Sequence, residues 1–274
     1  MLKQRVITAI ILAVCFLLAL FALPAAAFAV FLGLVAALCA REWYDISAAT
    51  AGGAAKALYI AAFPLAGLAL LLLAGSEPVL RFVLLGAGLW WLIVVLVMYL
   101  QPVAQKPASG GSPFYLAAGF VSVLPAMLAA YFLRDGQVGS PWLLLYAFAV
   151  VWVMDIGAYF SGKRFGKHKL APSISPGKTI EGVLGGALAT LLFWLICAFV
   201  LLPADAVLSP LTLLLGTLLA APVSVVGDLF ESRAKRMAGM KDSGTLLPGH
   251  GGMLDRLDSA FAALPVFAFA MYWL

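Results

Sequence analysis

The chain of 274 residues is 65% hydrophobic and only 11% charged, with a net charge of +5 at pH 7. Soluble domains carry roughly 25% charged residues, so this composition excludes a soluble globular domain, and its apolar content excludes a disordered chain. It indicates a multi-pass membrane protein with room for about eight or nine spans of roughly 20 residues. In such a protein, basic cytoplasmic loops explain a positive net charge, so the charge does not indicate binding of nucleic acid.

Nine apolar segments follow one another, and their length and continuity predict helices rather than strands. The first follows the basic start MLKQR, as in a signal peptide, but a second apolar segment comes at once, so we expect a retained first span. The fold class is predicted to be all-α, with about nine transmembrane helices in one domain, residues 1–274. In chain order, the predicted spans are 6–23, 25–40, 57–74, 79–100, 114–133, 141–160, 179–202, 208–230 and 259–274.

Polar segments separate these spans. Residues 41–45, with a Trp and a Tyr, are expected at headgroup depth, where such side chains concentrate. Residues 101–113 are rich in Pro, Gly and Ser and are predicted to form a loop, and residues 161–178 to form a second, basic loop. The largest polar segment, 231–258, holds five of the 17 Lys and Arg residues and four of the 12 acids. Such a concentration of charge in an apolar chain requires solvent and indicates a ligand.

The positions of the basic residues predict how the chain crosses the membrane. With nine spans, 15 of the 17 Lys and Arg residues fall on the side of the N-terminus, and only Arg81 and Arg134 fall on the other. The positive-inside rule makes the first side cytoplasmic. The segments 161–178 and 231–258 both lie on that side, so we expect one polar mouth that faces the cytoplasm.

Acids are predicted at the cytoplasmic ends of four helices, at Asp155, Asp228, Asp258 and Glu181. A charge in hydrocarbon costs at least about 2.5 kcal/mol, so such residues usually face a protein interior or a wet cavity. As a set they predict a cation site, although each alone fits a solvated charge at a helix end. Asp255 and Asp258 are spaced i and i+3 and share a helix face. With Asp228 they are candidate ligands for Mg²⁺, which takes few protein ligands and keeps positions for phosphate.

The segment Pro-Gly-His-Gly-Gly at 248–252 cannot be ordinary helix. Its glycines allow the backbone to approach a ligand and to direct N–H groups at an anion. Most Gly-rich loops are simple turns, so the pattern gains its weight from Lys241 and Asp242 upstream and from the acids just after it. Arg256 either reaches a phosphate or pairs with the neighbouring acids, and the sequence leaves both readings open.

The other polar segment contains Gly-Lys178-Thr179, which resembles a P-loop. That motif needs a glycine at position 172, where this chain has Pro172, and a buried strand before it, so we reject it. Lys178 and Thr179 are instead predicted at a helix N-terminus, which favours an anion. The remaining basic residues of this segment bind either substrate or lipid headgroups, and His168 is predicted to be a polar loop residue without a metal.

Two motifs resemble those of the CDP-diacylglycerol synthase family, also called phosphatidate cytidylyltransferases. The first covers 27 residues and reads Ser232-Arg-Ala-Lys-Arg-x4-Lys241-Asp242-Ser-Gly-x2-Leu-Pro-Gly-His250-Gly-Gly-Met-Leu-Asp255-Arg256-Leu-Asp258. The second is Ser175-Pro-Gly-Lys178-Thr179-x-Glu181-Gly, preceded by the pattern from Asp155 to Gly166. The chain departs from the family at Ala234, where a larger apolar residue is usual, which affects packing rather than chemistry.

The resemblance implies that CTP and phosphatidate react to give CDP-diacylglycerol and pyrophosphate with Mg²⁺, in a homodimer of the bacterial cytoplasmic (inner) membrane. It also implies a metal site for up to two cations, the second such as K⁺. Residues 141–274 then form the catalytic portion, and 1–133 are mainly scaffold. The candidate metal ligands are Asp228, Asp255, Asp258 and Asp155. The candidate catalytic residues are Lys178, Lys241, Asp242, His250 and Arg256. The candidate substrate-binding residues are Ser175, Lys178, Thr179, Lys235, Arg236, Gly249, Gly251 and Gly252.

Other classes of membrane protein fit the sequence less well. An ion-coupled transporter also has intramembrane acids and helices broken by Gly and Pro, but these acids lie at one face, and the chain has no pair of matching halves. A CDP-alcohol phosphotransferase requires a paired aspartate motif that this sequence lacks. A structural scaffold has no need of so many cations and acids on one face.

Overall fold

The computed structural model describes residues 2–47, 52–100, 112–201 and 209–273. These ranges contain nine α-helices, one antiparallel pair of short strands and a π-helical turn, Cys197–Leu201. Most of the predicted loop 101–113, namely 101–111, lies outside them, as do residues 202–208. The helices are α1 Leu2–Ala22, α2 Ala25–Ser47, α3 Ala54–Leu73, α4 Glu77–Leu100, α5 Pro113–Asp135, α6 Pro141–Phe165, α7 Ile180–Ile196, α8 Pro210–Met237 and α9 Leu254–Trp273, and the strands are β1 Lys169–Ala171 and β2 Ser175–Thr179.

The predicted helical membrane fold is confirmed. Within the described ranges, eight helices, α1 to α8, are long and apolar enough to cross a membrane. The ninth helix, α9, has 20 residues, but its first turns carry Asp255, Arg256 and Asp258 before the sequence turns apolar. Each of the nine predicted spans therefore corresponds to one helix.

The structure corrects two helix ends. We expected α2 to end near residue 40, followed by an interfacial segment, but α2 continues to Ser47. Its last turns are buried inside the bundle, with Trp43 only 1% exposed, because helices from both halves of the chain pack around them. Helix α6 likewise continues to Phe165, so the predicted loop 161–178 begins as helix.

The rest of that predicted loop forms a hairpin rather than an irregular loop. Strand β1 pairs antiparallel with β2, and Lys169 lies opposite Thr179. Ile174 in the turn is buried against Val225 and Leu229 of α8, which holds the hairpin on the bundle. Thr179 then accepts a hydrogen bond from the Gly182 N–H (3.1 Å) and caps α7, as expected for a residue at this helix start.

Glycines let the site-bearing helices pack closely, because small residues allow helix backbones to approach each other. A side chain at Gly186 of α7 would come within 2.6 Å of the Met154 carbonyl oxygen of α6. At Gly227 of α8, a Cβ atom would lie 2.9 Å from the Ala262 Cβ atom of α9. Helices α8 and α9 can therefore approach backbone to backbone, which brings the acids beside this contact close together.

The two ends of the bundle differ in charge, as the sequence predicts. Arg134 lies at the end opposite the two long polar segments, where it is 6% exposed and its Nε donates to the Leu20 carbonyl oxygen (2.7 Å). Arg81 lies at the same end and pairs with Glu77 (2.5 Å). The assignment of the basic end to the cytoplasm remains a prediction from the positive-inside rule.

Candidate active site

The polar end of the bundle collects the residues that the sequence singles out. Helices α1, α7 and α9 begin there, and α2, α6 and α8 end there. The hairpin lies on one side, and residues 238–253, which we call the signature loop, connect α8 to α9. These parts therefore lie at the same end of the bundle.

A direct ion pair joins the hairpin to α8. The Lys178 Nζ atom lies 2.6 Å from an Asp228 carboxylate oxygen, and the two side chains are 23% and 26% exposed. Lys178 was predicted to bind phosphate, and Asp228 was predicted to bind metal. The Lys178 ammonium therefore lies against the Asp228 carboxylate. Because both side chains are partly exposed, both groups are accessible to a ligand.

Lys235 is a buried cation between two acids. Its Nζ atom lies 2.7 Å from a Glu231 oxygen and 2.5 Å from an Asp255 oxygen, and its side chain is 9% exposed. The sequence predicts Lys235 as a substrate-binding residue. In the structure its ammonium links α8 to the start of α9 instead of facing open solvent.

Asp255 fixes the start of α9. Its carboxylate accepts hydrogen bonds from the backbone N–H groups of Gly252 (2.8 Å) and Ser243 (3.0 Å), in addition to the Lys235 contact. A carboxylate in this position stabilises the helix N-terminus. Asp255 and Asp258 therefore lie in different surroundings, although their spacing places them near one helix face.

Asp228 and Glu231 lie in the last turns of α8, and Asp258 lies in the first turns of α9, where Gly227 lets the two helices approach closely. The Glu231 side chain is almost fully buried, and its Oε1 atom has no hydrogen-bond partner among the described residues. A carboxylate oxygen that is left without a partner is the kind of donor that a hard divalent cation prefers. This donor set fits Mg²⁺.

No three His, Cys, Asp or Glu side chains within the described ranges are arranged as a ready-made metal cluster. Mg²⁺ commonly uses one or two carboxylates and completes its shell with water and substrate phosphates. A sparse protein donor set is therefore compatible with this ion.

The four acids that were predicted to form one cation site do not stay together, because Glu181 has other partners. Asp155 lies in α6, the helix that leads into the hairpin, and its place in the site stays a prediction. Glu181 instead accepts hydrogen bonds from the Lys167 N–H (3.0 Å) and lies 2.6 Å from the His168 ring. It stabilises the connection between α6 and the hairpin and does not join the other acids.

The signature loop turns sharply at two glycines. Gly249 has φ 76° and Gly251 has φ 84°, a region that favours glycine. The His250 N–H donates to the Leu247 carbonyl oxygen (2.8 Å), and the Gly252 N–H donates to Asp255. Two of the backbone N–H groups that were expected to bind an anion therefore already donate hydrogen bonds to the protein itself.

An open pocket of about 610 Å³ lies against the signature loop. Its walls bring together Lys241, Asp242, His250 and Arg256, four of the predicted catalytic residues, together with the backbone of the predicted Gly249 and Gly251. Arg256 forms no ion pair with Asp255 or Asp258 among the described residues, so the internal lock is not formed there, and Arg256 lines the pocket.

The remaining predicted residues form the frame of the site. Ser175 lies half-buried in β2, and Thr179 caps α7. Arg236 donates to the Met240 carbonyl oxygen (3.0 Å) and reaches the Ile174 carbonyl oxygen (3.4 Å). It therefore ties the end of α8 to its own turn and to the hairpin.

Glu42 of α2 is a site residue that sequence reasoning missed. It is 5% exposed, and its carboxylate accepts hydrogen bonds from the backbone N–H groups of Leu254 (2.8 Å) and Met253 (3.1 Å) and from the Ser243 hydroxyl (3.2 Å). It caps α9 from a distant helix and fixes both ends of the signature loop. The available signal was an acid in the segment 41–45, directly after an apolar span, but the sequence could not show its partners.

The sequence profile described as "Cytidylyltransferase family" matches residues 3–274. A protein of Pseudomonas aeruginosa named phosphatidate cytidylyltransferase is 43% identical over 275 residues, covering 100% of this chain and 97% of the relative. A protein of Haemophilus influenzae with the same name is 36% identical over 298 residues, covering 100% of this chain and 99% of the relative. One of Staphylococcus haemolyticus, also so named, is 50% identical over 123 residues, covering 45% of this chain and 46% of the relative.

Proposed function

The chain belongs to the cytidylyltransferase family, and we propose that it transfers the cytidylyl group of CTP to phosphatidate, giving CDP-diacylglycerol and pyrophosphate. The observation that carries this proposal is the similarity, at 43% identity over the whole chain, to a relative named phosphatidate cytidylyltransferase. The site supports it, because a reaction between two polyanions needs cations and metal-binding acids at one accessible place.

In the proposed reaction, a phosphate oxygen of phosphatidate attacks the α-phosphorus of CTP. The new P–O bond forms as the bond from the α-phosphorus to the β-phosphate oxygen breaks, and pyrophosphate leaves with that electron pair. A phosphomonoester has its second pKa near 6, so the nucleophile is largely a dianion at neutral pH. The step needs no general base, and His250 is assigned a place near the nucleotide rather than that role.

The protein's part in this step is to position the phosphates and to neutralise their charge. Lys241 and Arg256 line the pocket beside the signature loop and are the proposed ligands of the CTP phosphates. Lys178 lies on the hairpin at Asp228 and is the proposed cation for the reacting phosphates. Lys235 and Asp255 hold the two helices that carry these groups, since their contacts are internal.

Magnesium is the proposed cofactor, with a second cation such as K⁺ as part of the same proposal. Asp228, Asp258 and Asp155 are proposed ligands, and the unpartnered Glu231 oxygen supports a cation at this place. Asp255 stays a predicted ligand, although its carboxylate already contacts Lys235 and the Gly252 and Ser243 N–H groups. When bound, such an ion neutralises phosphate charge and aligns the substrates.

The proposed setting is the bacterial inner membrane, with the site toward the cytoplasm and the protein as a homodimer. The relatives are bacterial, and the helices α1 to α8 are long and apolar enough to span a bilayer. A diacylglycerol substrate would keep its acyl chains in lipid while its phosphate reaches the polar end. No observation favours the alternative of an ion-coupled transporter.

The test is direct synthesis. Purified protein in mixed micelles with phosphatidate, Mg²⁺ and CTP labelled at the α-phosphate should release equal amounts of pyrophosphate and lipid-soluble labelled product. Chelation of divalent ions with EDTA should stop the reaction, and added Mg²⁺ should restore it. Product formation that requires no phosphatidate, or that persists unchanged in EDTA, would contradict the proposal.

A further inference from the structure

The first turns of α1 pack directly against the signature loop. The Thr8 hydroxyl donates to the Pro248 carbonyl oxygen (3.1 Å). At the neighbouring Gly249, a Cβ atom would lie 2.9 Å from the Arg5 Cγ atom. The stem of Arg5 thus lies across the glycine, and the Thr8 hydrogen bond holds α1 in this position.

Arg5 is also one wall of the pocket that contains Lys241, Asp242, His250 and Arg256. The pocket therefore has three cationic side chains against one carboxylate. None of these charged groups forms an ion pair within the ranges that the structure describes. The His250 Nδ1 atom, at the same wall, is shielded from solvent and has no partner among the described residues.

A concave site with an excess of cations and without internal partners fits an oxyanion. Its volume of about 610 Å³ lies within the range of small-molecule sites, roughly 300–1,000 Å³. A guanidinium has a rigid fork of donors that matches phosphate, so Arg5 can bind a phosphate group through two hydrogen bonds.

We propose that Arg5 is a phosphate-binding residue of this site, and that α1 closes the pocket from the N-terminal part of the chain. The ligand is a phosphate group of a substrate, supplied either by the triphosphate of CTP or by the phosphomonoester of phosphatidate. This inference rests on the proposed function for the identity of the substrates. It assigns to α1 a role in binding as well as in membrane anchoring.

The matched control is Lys3. It is a cation on the same helix turn, but residues spaced i and i+2 do not share a helix face, and Lys3 does not line the pocket. A general effect of positive charge on insertion or on contact with anionic lipid should be similar for Lys3→Gln and Arg5→Gln. A phosphate-binding role should affect Arg5→Gln alone.

The test compares steady-state kinetics of the full-length protein with Arg5→Gln, Arg5→Lys and Lys3→Gln. Arg5→Gln should raise KM for one phosphate substrate about tenfold, the effect of losing one charge-assisted hydrogen bond. Arg5→Lys should fall between Arg5→Gln and wild type, and Lys3→Gln should match wild type. Arg5 is exposed on the first turns of α1, and Arg5→Lys keeps the charge if the glutamine variant folds poorly.

Two arms identify the source of the phosphate. A rise in KM for CTP, with weaker inhibition by pyrophosphate, assigns Arg5 to the triphosphate. A rise in KM for phosphatidate alone assigns it to the lipid phosphate. Unchanged constants for both substrates, or equal changes in Arg5→Gln and Lys3→Gln, would overturn the proposal.

A third measurement separates this inference from the proposed reaction. Stabilisation of the purified protein by pyrophosphate is measured as a shift in unfolding temperature, which requires no turnover. Arg5→Gln should reduce that shift if the triphosphate is the ligand, even if the wild-type chain makes no CDP-diacylglycerol. The same shift is measured with phosphatidate for the lipid phosphate. If the wild-type chain makes no CDP-diacylglycerol, and if pyrophosphate and phosphatidate each shift wild type and Arg5→Gln equally, both the inference and the proposed function fail.

Discussion

Buried charged side chains hold the signature loop to the rest of the protein. Glu42 accepts three hydrogen bonds from residues near both ends of the loop. Lys235 bridges two acids from beneath the start of α9. Because these groups are withdrawn from water, removal of one partner leaves the others buried without compensation.

Glu42→Ala should lower both stability and turnover. It leaves two backbone N–H groups without their acceptor, which costs about 2 kcal/mol or more, and it releases the loop that carries the proposed phosphate ligands. The measurement is thermal unfolding in detergent together with kcat. Glu77→Ala is the control, since it removes an exposed acid at the opposite end; equal effects of the two changes would contradict the role assigned to Glu42.

Lys235→Met and Lys241→Met should have different effects. Loss of Lys235 leaves two buried carboxylates without their cationic partner. This should lower the free energy of unfolding by about 3–5 kcal/mol, so the unfolding temperature should fall. Lys241 is exposed in the pocket, so its loss should raise KM and leave the unfolding temperature near that of wild type. If both variants have wild-type stability, Lys235 is not the buried link described here.

At the scale of secondary structure, the short polar elements define the shape of the site. The hairpin carries Lys178 to Asp228, and the signature loop forms one wall of the pocket. Both depend on local backbone geometry as well as on charge. A substitution that changes only that geometry should therefore affect function.

Gly251→Ala should impair the site through the backbone. Its φ of 84° is unfavourable for alanine, at a cost of about 1–2 kcal/mol, and the new methyl group would lie 2.5 Å from an Asp255 oxygen. The kcat of Gly251→Ala should therefore drop strongly. The control is Gly177→Ala, because its new methyl group meets no atom within 4 Å, and its kcat should stay near that of wild type. Equal kcat values for the two variants would show that the loop tolerates rearrangement.

The spans were predictable because about 20 consecutive apolar residues have few alternatives to a membrane helix. Their ends were less predictable. Helix α2 continues past Ala40 because residues such as Trp43 are buried by distant helices, which a local hydrophobicity pattern does not contain. The hairpin escaped prediction because its strands have three and five residues and depend on the burial of Ile174 against α8.

For the whole molecule, the uneven distribution of basic residues between the two ends of the bundle was predictable from the sequence. The contacts between distant parts of the chain were not. The count of basic residues placed both long polar segments at one end, where the Lys178–Asp228 pair joins the first of them to α8. The contributions of Arg5 and Glu42 depend on partners more than 200 residues away in the chain. Residues 1–133, expected mainly as scaffold, thus also contact the site.

The predicted orientation can be tested by labelling from one side. Gly177→Cys lies on the exposed hairpin, and Ser76→Cys lies on the exposed turn between α3 and α4 at the opposite end. A membrane-impermeant maleimide should label Gly177→Cys only in inside-out vesicles and Ser76→Cys only in right-side-out vesicles. Wild type, which has three native Cys residues, is the control for background, and the reverse pattern would contradict the orientation.

The central claim is that metal-dependent cytidylyl transfer takes place where Asp228 of α8 meets Lys178 of the hairpin. Its most direct test is the rate of CDP-diacylglycerol synthesis by Asp228→Asn, with Asp45→Asn as control because Asp45 is also an aspartate paired with a lysine, but its partner is Lys56 of α3 rather than a hairpin residue. We predict that Asp228→Asn folds, loses activity about 10²-fold or more and is not rescued by excess Mg²⁺, whereas Asp45→Asn stays near wild type. Near-wild-type synthesis by Asp228→Asn would contradict the account.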